Sequence, residues 1–184
     1  MKERPILFSG PMVRAILEGR KTQTRRVVKP QSAILTDEMA RVLGVQPPAQ
    51  QNAPVISCPY GVPGDRLWVR ETYAWSGDSS IPEADRIASG EVWYRADGGR
   101  GGGIRWRPSI FMPRWASRIL LEITDVRVER LQDISDDDCR AEGYDRSHAF
   151  PREWFARLWA SINGTGSWAA NPLVWVVSFQ RVTP

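Results

Sequence analysis

A chain of 184 residues, 42% of them hydrophobic and nine of them tryptophan, has material for one core but not for two, so a single domain is expected. One histidine, His148, and two cysteines, Cys58 and Cys139, fall short of the ligand set of an ordinary zinc site, and neither a metal nor another cofactor is expected. No apolar run approaches membrane-spanning length, and the charged start at Lys2, Glu3 and Arg4 leads into no signal peptide, which argues against a membrane partner and for the cytoplasm with reduced thiols.

Pro5 to Ser9 reads as a short buried strand. Pro11 then suits a first helical turn, Val13, Ile16 and Leu17 have helical spacing, and Gly19 can close the helix. A basic run from Arg20 to Arg26 leads into Val27 and Val28. From Gln31 to Pro59 the signals weaken to a short helix around Asp37 to Leu43 and a Pro/Gln-rich loop, an insertion within one domain. Arg66 to Tyr73 alternates as a strand with Leu67, Val69, Glu71 and Tyr73 on one face and Trp68, Arg70 and Thr72 on the other. Glu91 to Arg95 is a further strand, and Gly98 to Gly103 a mobile hairpin tip that lacks the ending of a phosphate-binding loop.

Ile119, Leu121 and Ile123 share one face of a long strand, whereas Val126 and Val128 are out of phase, which predicts a bulge near Thr124 and Asp125. Ser135 and Asp138 have the spacing of a capping box on a short helix that Gly143 ends. The adjacent Asp136, Asp137 and Asp138 suit the positive end of that helix better than a metal. Pro151 opens a second clear helix, with Trp154, Phe155, Leu158, Trp159 and Ile162 on a face read as core. Leu173 to Phe179, apolar on both faces, is a central strand. The sum is an α+β fold: a curved, mostly antiparallel sheet or small barrel with a few packed helices.

The basic side of the composition is peculiar. Only Lys2, Lys21 and Lys29 among 25 basic residues are lysine, in a chain of formal net charge +4. Arginine suits bidentate contacts with phosphate and base edges, and a GC-rich genome produces the same bias, so a nucleic-acid partner is compatible with the balance but does not follow from it. Glu71 stands out because it shares an inward face with Leu67 and Val69, where a carboxylate must be neutral, hydrogen-bonded or paired. Lys21, Thr24 and Glu71 meeting in a half-buried pocket could act as base, nucleophile and orienting group. From residue types alone the favoured reading of these residues is a buried Glu-Lys or Glu-Arg pair that ties the first helix to the sheet.

Gly19-Arg-Lys21-Thr-Gln-Thr24-Arg-Arg26 resembles the G-x-K-x-x-T-x-R signature of the ASCH family, whose fold is a β-barrel similar to the PUA domain. Gly64 to Glu71 resembles the strand on which that family presents its glutamate. Trp106 to Arg114, Leu131 to Gly143 and Asn171 to Val182 resemble longer members common in bacteria and their phages. The resemblance implies a PUA-like barrel for the whole chain, with the 31–59 segment as an insertion loop. It also implies the roles of the small amidohydrolases that deacetylate N4-acetylcytidine, carried onto Lys21, Thr24 and Glu71.

Two functions are therefore expected. As an amidohydrolase on an N-acylated pyrimidine nucleoside or base, the protein would use Thr24 to attack the amide, Lys21 as base, Glu71 to orient Lys21 and relay a proton, and Arg26 to hold the oxyanion or a phosphate. As a binding module for single-stranded RNA or DNA, or a ribonuclease, it would set Arg20, Arg25, Arg26 and Arg70 on phosphates, with Tyr73, Trp75 or Trp106 as aromatic contacts. His148 reads as a solvated loop residue, and Cys58 as a packed thiol.

Overall fold

The structure is a computed structural model that describes residues 1–29, 57–76, 90–98 and 105–182. Strands β1 (Glu3–Leu7), β3 (Arg66–Arg70), β6 (Leu120–Arg130), β7 (Leu173–Val182) and β2 (Gln23–Val27) form, in that order, one five-stranded sheet. Only β1 and β3 are parallel; the other neighbours are antiparallel. Strands β4 (Tyr73–Trp75) and β5 (Val92–Tyr94) make a separate antiparallel pair. The helices are α1 (Gly10–Leu17), α2 (Asp136–Ala141) and α3 (Pro151–Asn163). None of the described helices is long and apolar enough to cross a membrane.

Strand β7 shows why the sheet holds together. Leu173, Trp175, Val177 and Phe179 join the main core with Ile6, Leu67, Val69, Leu121 and Ile123. Val174 and Val176, on the opposite face, pack with Leu131, Cys139, Trp154, Phe155 and Trp159 beneath α2 and α3. A strand that is covered on both sides loses the usual apolar-polar alternation. Each such valine contributes about 1.5–3 kcal/mol on burial.

The barrel implied by the resemblance is not seen among the described residues. The sheet is open, with β1 and β2 as its two edges. A side chain spans the gap instead of a backbone ladder: Arg26 Nη2 donates to the Leu7 carbonyl at 2.7 Å, and its guanidinium lies 5.3 Å from the Phe8 ring centre. Curvature has brought the edges together without pairing them.

The strand expected from Arg66 to Tyr73 breaks after Arg70. The Glu71 amide donates to Met112 Sδ at 3.3 Å, and the Thr72 carbonyl accepts from the Arg95 amide, so the chain leaves the sheet and re-pairs as β4. The inward alternation survives the break, since Leu67, Val69, Glu71 and Tyr73 are all buried. The register of β6 shifts between Ile123 and Asp125, where the bulge is expected. Ser135 and Asp138 form a full capping box on α2. The face of α3 is core only in part: Trp154, Phe155 and Trp159 are buried, but Ile162 is 60% exposed. The helix around 37–43, nearly all of the insertion and the glycine-rich tip beyond Gly98 lie outside the described residues.

Candidate active site

Helix α1 ends at Glu18, and Gly19, at a φ of +76°, turns the chain toward β2. Lys21 lies in that turn and is only 3% exposed. The end of α2 docks on it through backbone pairing of Lys21 with Glu142 and a bond from the Thr22 amide to the Ala141 carbonyl. Gly143, at a φ of +98°, permits this approach, because a Cβ there would stand 3.1 Å from Ala15 Cβ and 3.2 Å from Lys21 Cβ. Backbone docking therefore places a buried carboxylate beside a buried amine.

Lys21 Nζ donates to Glu142 Oε2 at 2.6 Å, to the Glu142 carbonyl at 2.9 Å and to the Gln23 carbonyl at 2.7 Å. Burial pulls its pKa below the ordinary lysine value; Glu142 opposes that pull, and Arg26 and Arg25 add to it. Burial thus favours the neutral amine relative to an ordinary lysine, while three acceptors, one of them the Glu142 carboxylate, hold the ammonium hydrogens.

Behind the pair stands Arg25, whose side chain is fully buried. Its Nη1 donates to Gln23 Oε1 at 2.6 Å and to Glu142 Oε1 at 3.3 Å, its Nε bonds Glu129 at 2.9 Å, and Asp138 lies 3.2 Å from Nη2. Arg127 bridges the same Glu129 and Asp138 from the other side. Asp138 is also the capping residue of α2, so one network fixes both the start of that helix and the carboxylate at its end.

Lys21, Thr24, Arg25 and Glu142 are the buried polar lining of a cleft of about 460 Å³, a size suited to a small ligand. Ser9, Arg26, Thr72 and Ser109 add polar groups, and Phe8, Met12 and the α3 side chains Phe155, Leu158, Trp159 and Ile162 supply apolar surface. Two buried donors on these residues, Arg26 Nε and Trp159 Nε1, have no hydrogen-bond partner among the described residues.

Glu71, 1% exposed, belongs to another cluster. Arg118 Nε and Nη2 bond its two oxygens at 2.9 and 3.2 Å, and the same guanidinium pairs with Asp97 and stacks 3.9 Å from the Tyr94 ring centre. Burial pushes the Glu71 carboxyl upward in pKa, against the pull of Arg118. The sequence places Lys21 and Glu71 in one pocket; in the structure the carboxylate on Lys21 is that of Glu142, and Glu71 is linked to the cleft only through its neighbour Thr72.

The other expected contacts divide. Arg26 lines the cleft. Arg20 is held by Glu18 and the Gly143 carbonyl, and Arg25 by its carboxylates. Arg70 stacks 5.4 Å from Trp68 and donates to the Ile110 carbonyl. Tyr73 is buried, with its hydroxyl on the Phe111 carbonyl at 3.2 Å, and Trp75 packs edge-on against Trp115. Cys58 is half-buried and raised in pKa by burial, and the Cys139 thiol is pushed up to about 12, so both are packed thiols and not nucleophiles. His148 is half-exposed beside Ser147.

Glu142 escapes a reading of the sequence because nothing local pairs it with a residue 121 positions away. One signal exists: a glutamate closing a helix sits against the negative end of the dipole, a local conflict that functional sites tolerate.

No family model matches the chain, and no curated protein matches it. Among solved structures, it is similar to a protein of Enterococcus faecalis described by the family model DUF984, with a TM-score of 0.45 and 12% identity over 99% of this chain and 81% of that one. It is also similar to an ASCH domain from Lactobacillus crispatus, with a TM-score of 0.40 and 13% identity over 98% of this chain and 79% of that one.

Proposed function

We propose that the protein is an amidohydrolase that removes the acyl group from an N-acylated pyrimidine nucleoside or base, of which N4-acetylcytidine is the simplest. The observation that carries this reading is the buried Lys21-Glu142 pair at the lining of a cleft that also contains Thr24. Lys21, freed of one proton toward Glu142, accepts the Thr24 hydroxyl proton as the oxygen attacks the acyl carbon. Arg26 faces the developing oxyanion. The C–N bond breaks, the amine leaves with the proton that Lys21 took from Thr24, and water cleaves the Thr24 ester to release the acid. The apolar α3 surface suits a flat ring. Chromatographic detection of cytidine from N4-acetylcytidine tests the reading, with Lys21→Ala as control; turnover that persists in that variant would remove the role of Lys21.

A second reading, a module that binds single-stranded RNA or DNA without turnover, or cleaves RNA, draws on the guanidinium-indole stacks of Arg70 on Trp68 and Arg95 on Trp106. Its mark would be affinity that falls steeply with salt and is indifferent to Lys21→Ala.

A further inference from the structure

The cleft does not end at its apolar wall. A second depression of about 300 Å³, lined by Arg26, Val27, Lys29, Pro59, Tyr60, Asn163 and Trp175, shares Arg26, Val27 and Asn163 with the first. The two therefore adjoin along the β2 edge, with Arg26 between them.

Charge is unevenly answered along this edge. Lys21 is matched by Glu142, and Arg25 by Glu129, Asp138 and Glu142. Among the described residues no carboxylate pairs with Arg26 or Lys29. Arg26 spends one nitrogen on the Leu7 carbonyl, its Nε is buried without a partner, and its face rests on Phe8. The lining of the second depression contains two cations, two aromatic rings and no acid. A guanidinium braced on a ring and matched by no acid, with a lysine on the same lining, is a setting that a phosphate completes.

We infer that the junction of the two depressions is a phosphate subsite held by Arg26 and Lys29, so that the ligand of the cleft is a phosphorylated nucleotide and not a free nucleoside. The inference rests on the reading of the larger cleft as a pyrimidine pocket. It concerns the phosphate alone, whether on a mononucleotide or within a strand. In that ligand Arg26 bonds the phosphate through the guanidinium nitrogen that the Leu7 carbonyl does not occupy, and its face keeps its place on Phe8. Tyr60 and Trp175 then flank the sugar side or the next base.

The test is a titration of the full chain, followed by tryptophan fluorescence at low ionic strength, with cytidine, cytidine 5′-monophosphate and a short oligocytidylate. The monophosphate should bind about tenfold or more tighter than cytidine, as two charge-assisted contacts imply. Lys29→Gln, at an exposed position, should erase most of that preference while cytidine affinity stays within about twofold, less than one such contact is worth, and Arg26→Gln should erase the preference as well. An oligocytidylate that binds tighter still and with a steeper salt slope assigns the phosphate to a strand; equal binding assigns it to a mononucleotide. Equal affinity for cytidine and its monophosphate, or a preference that survives both substitutions, overturns the subsite and leaves the pyrimidine pocket standing. A preference for the monophosphate in a protein that never deacylates N4-acetylcytidine or its monophosphate sinks the hydrolase reading and leaves the subsite in place.

Discussion

Glu142 Oε2 lies 2.6 Å from Lys21 Nζ, while Glu142 Oε1 takes a hydrogen bond from Arg25 at 3.3 Å, so one buried carboxylate is shared between the candidate base and a buried guanidinium. That sharing lets the lysine be desolvated without being unpaired. It also makes Glu142 the residue whose loss is most informative.

In Glu142→Gln the amide oxygen can still accept from Lys21, but the negative charge that raises the lysine pKa is gone. The lysine then loses its proton at lower pH. A turnover drop of about 10²-fold or more is expected from the loss of proton sharing. The rising limb of the pH–rate profile should move to lower pH. A limb that stays in place, or moves up, would show that Glu142 does not act on Lys21.

Lys21 has a pKa below the ordinary value in the folded protein, so wild-type activity should rise with pH as the amine becomes neutral and level off above that point. The logarithm of kcat/KM against pH, from N4-acetylcytidine turnover, should climb with a slope of about one. A profile that only falls over this range would require a protonated Lys21 and reverse its role.

Arg25 is expected to matter through structure. Arg25→Met would leave Glu129, Asp138 and Glu142 around a neutral side chain, and stranding buried charges in this way costs about 3–5 kcal/mol. Urea denaturation should show that loss, and salt should restore little of it. A loss under about 1 kcal/mol, the level of an exposed ion pair, would mean that the network is far better solvated than its burial indicates.

Much of this was legible from residue order and the rest was not, for physical reasons. Capping, turn and bulge signals are local, so the box at Ser135 and Asp138, the ends of α1 and α3 and the phase change after Ile123 could be read directly. The inward direction of Glu71 follows from strand alternation, which also holds past the break at Thr72. What touches Glu71 does not follow from it, because Arg118 arrives from 47 residues away across another element. The Lys21 turn could be located by its glycine and basic run, yet its partner is delivered by the tertiary docking of α2. Ile162 repeats with the core face of α3, but the position opens into the cleft.

Asp65 ties the first strand to the third, since its carboxylate accepts from Arg4 Nη1 and from the Lys2 amide, both at 2.8 Å. Those bonds hold its pKa below the usual aspartate value. A group depressed in the folded state stabilises above its unfolded pKa, and that contribution is lost as pH falls through the folded value. Melting temperatures of wild type and Asp65→Asn should therefore differ near neutrality and converge in acid. A constant gap would deny Asp65 a titrating role.

The measurement that bears most directly on the chemistry is rapid quenching of the enzyme with N4-acetylcytidine, followed by mass spectrometry of the peptide that carries Thr24. One added acetyl group on Thr24, formed before steady state and absent from Thr24→Ala, is the expected result. Cytidine release with no acetylated Thr24 and undiminished in Thr24→Ala would contradict the account at its centre.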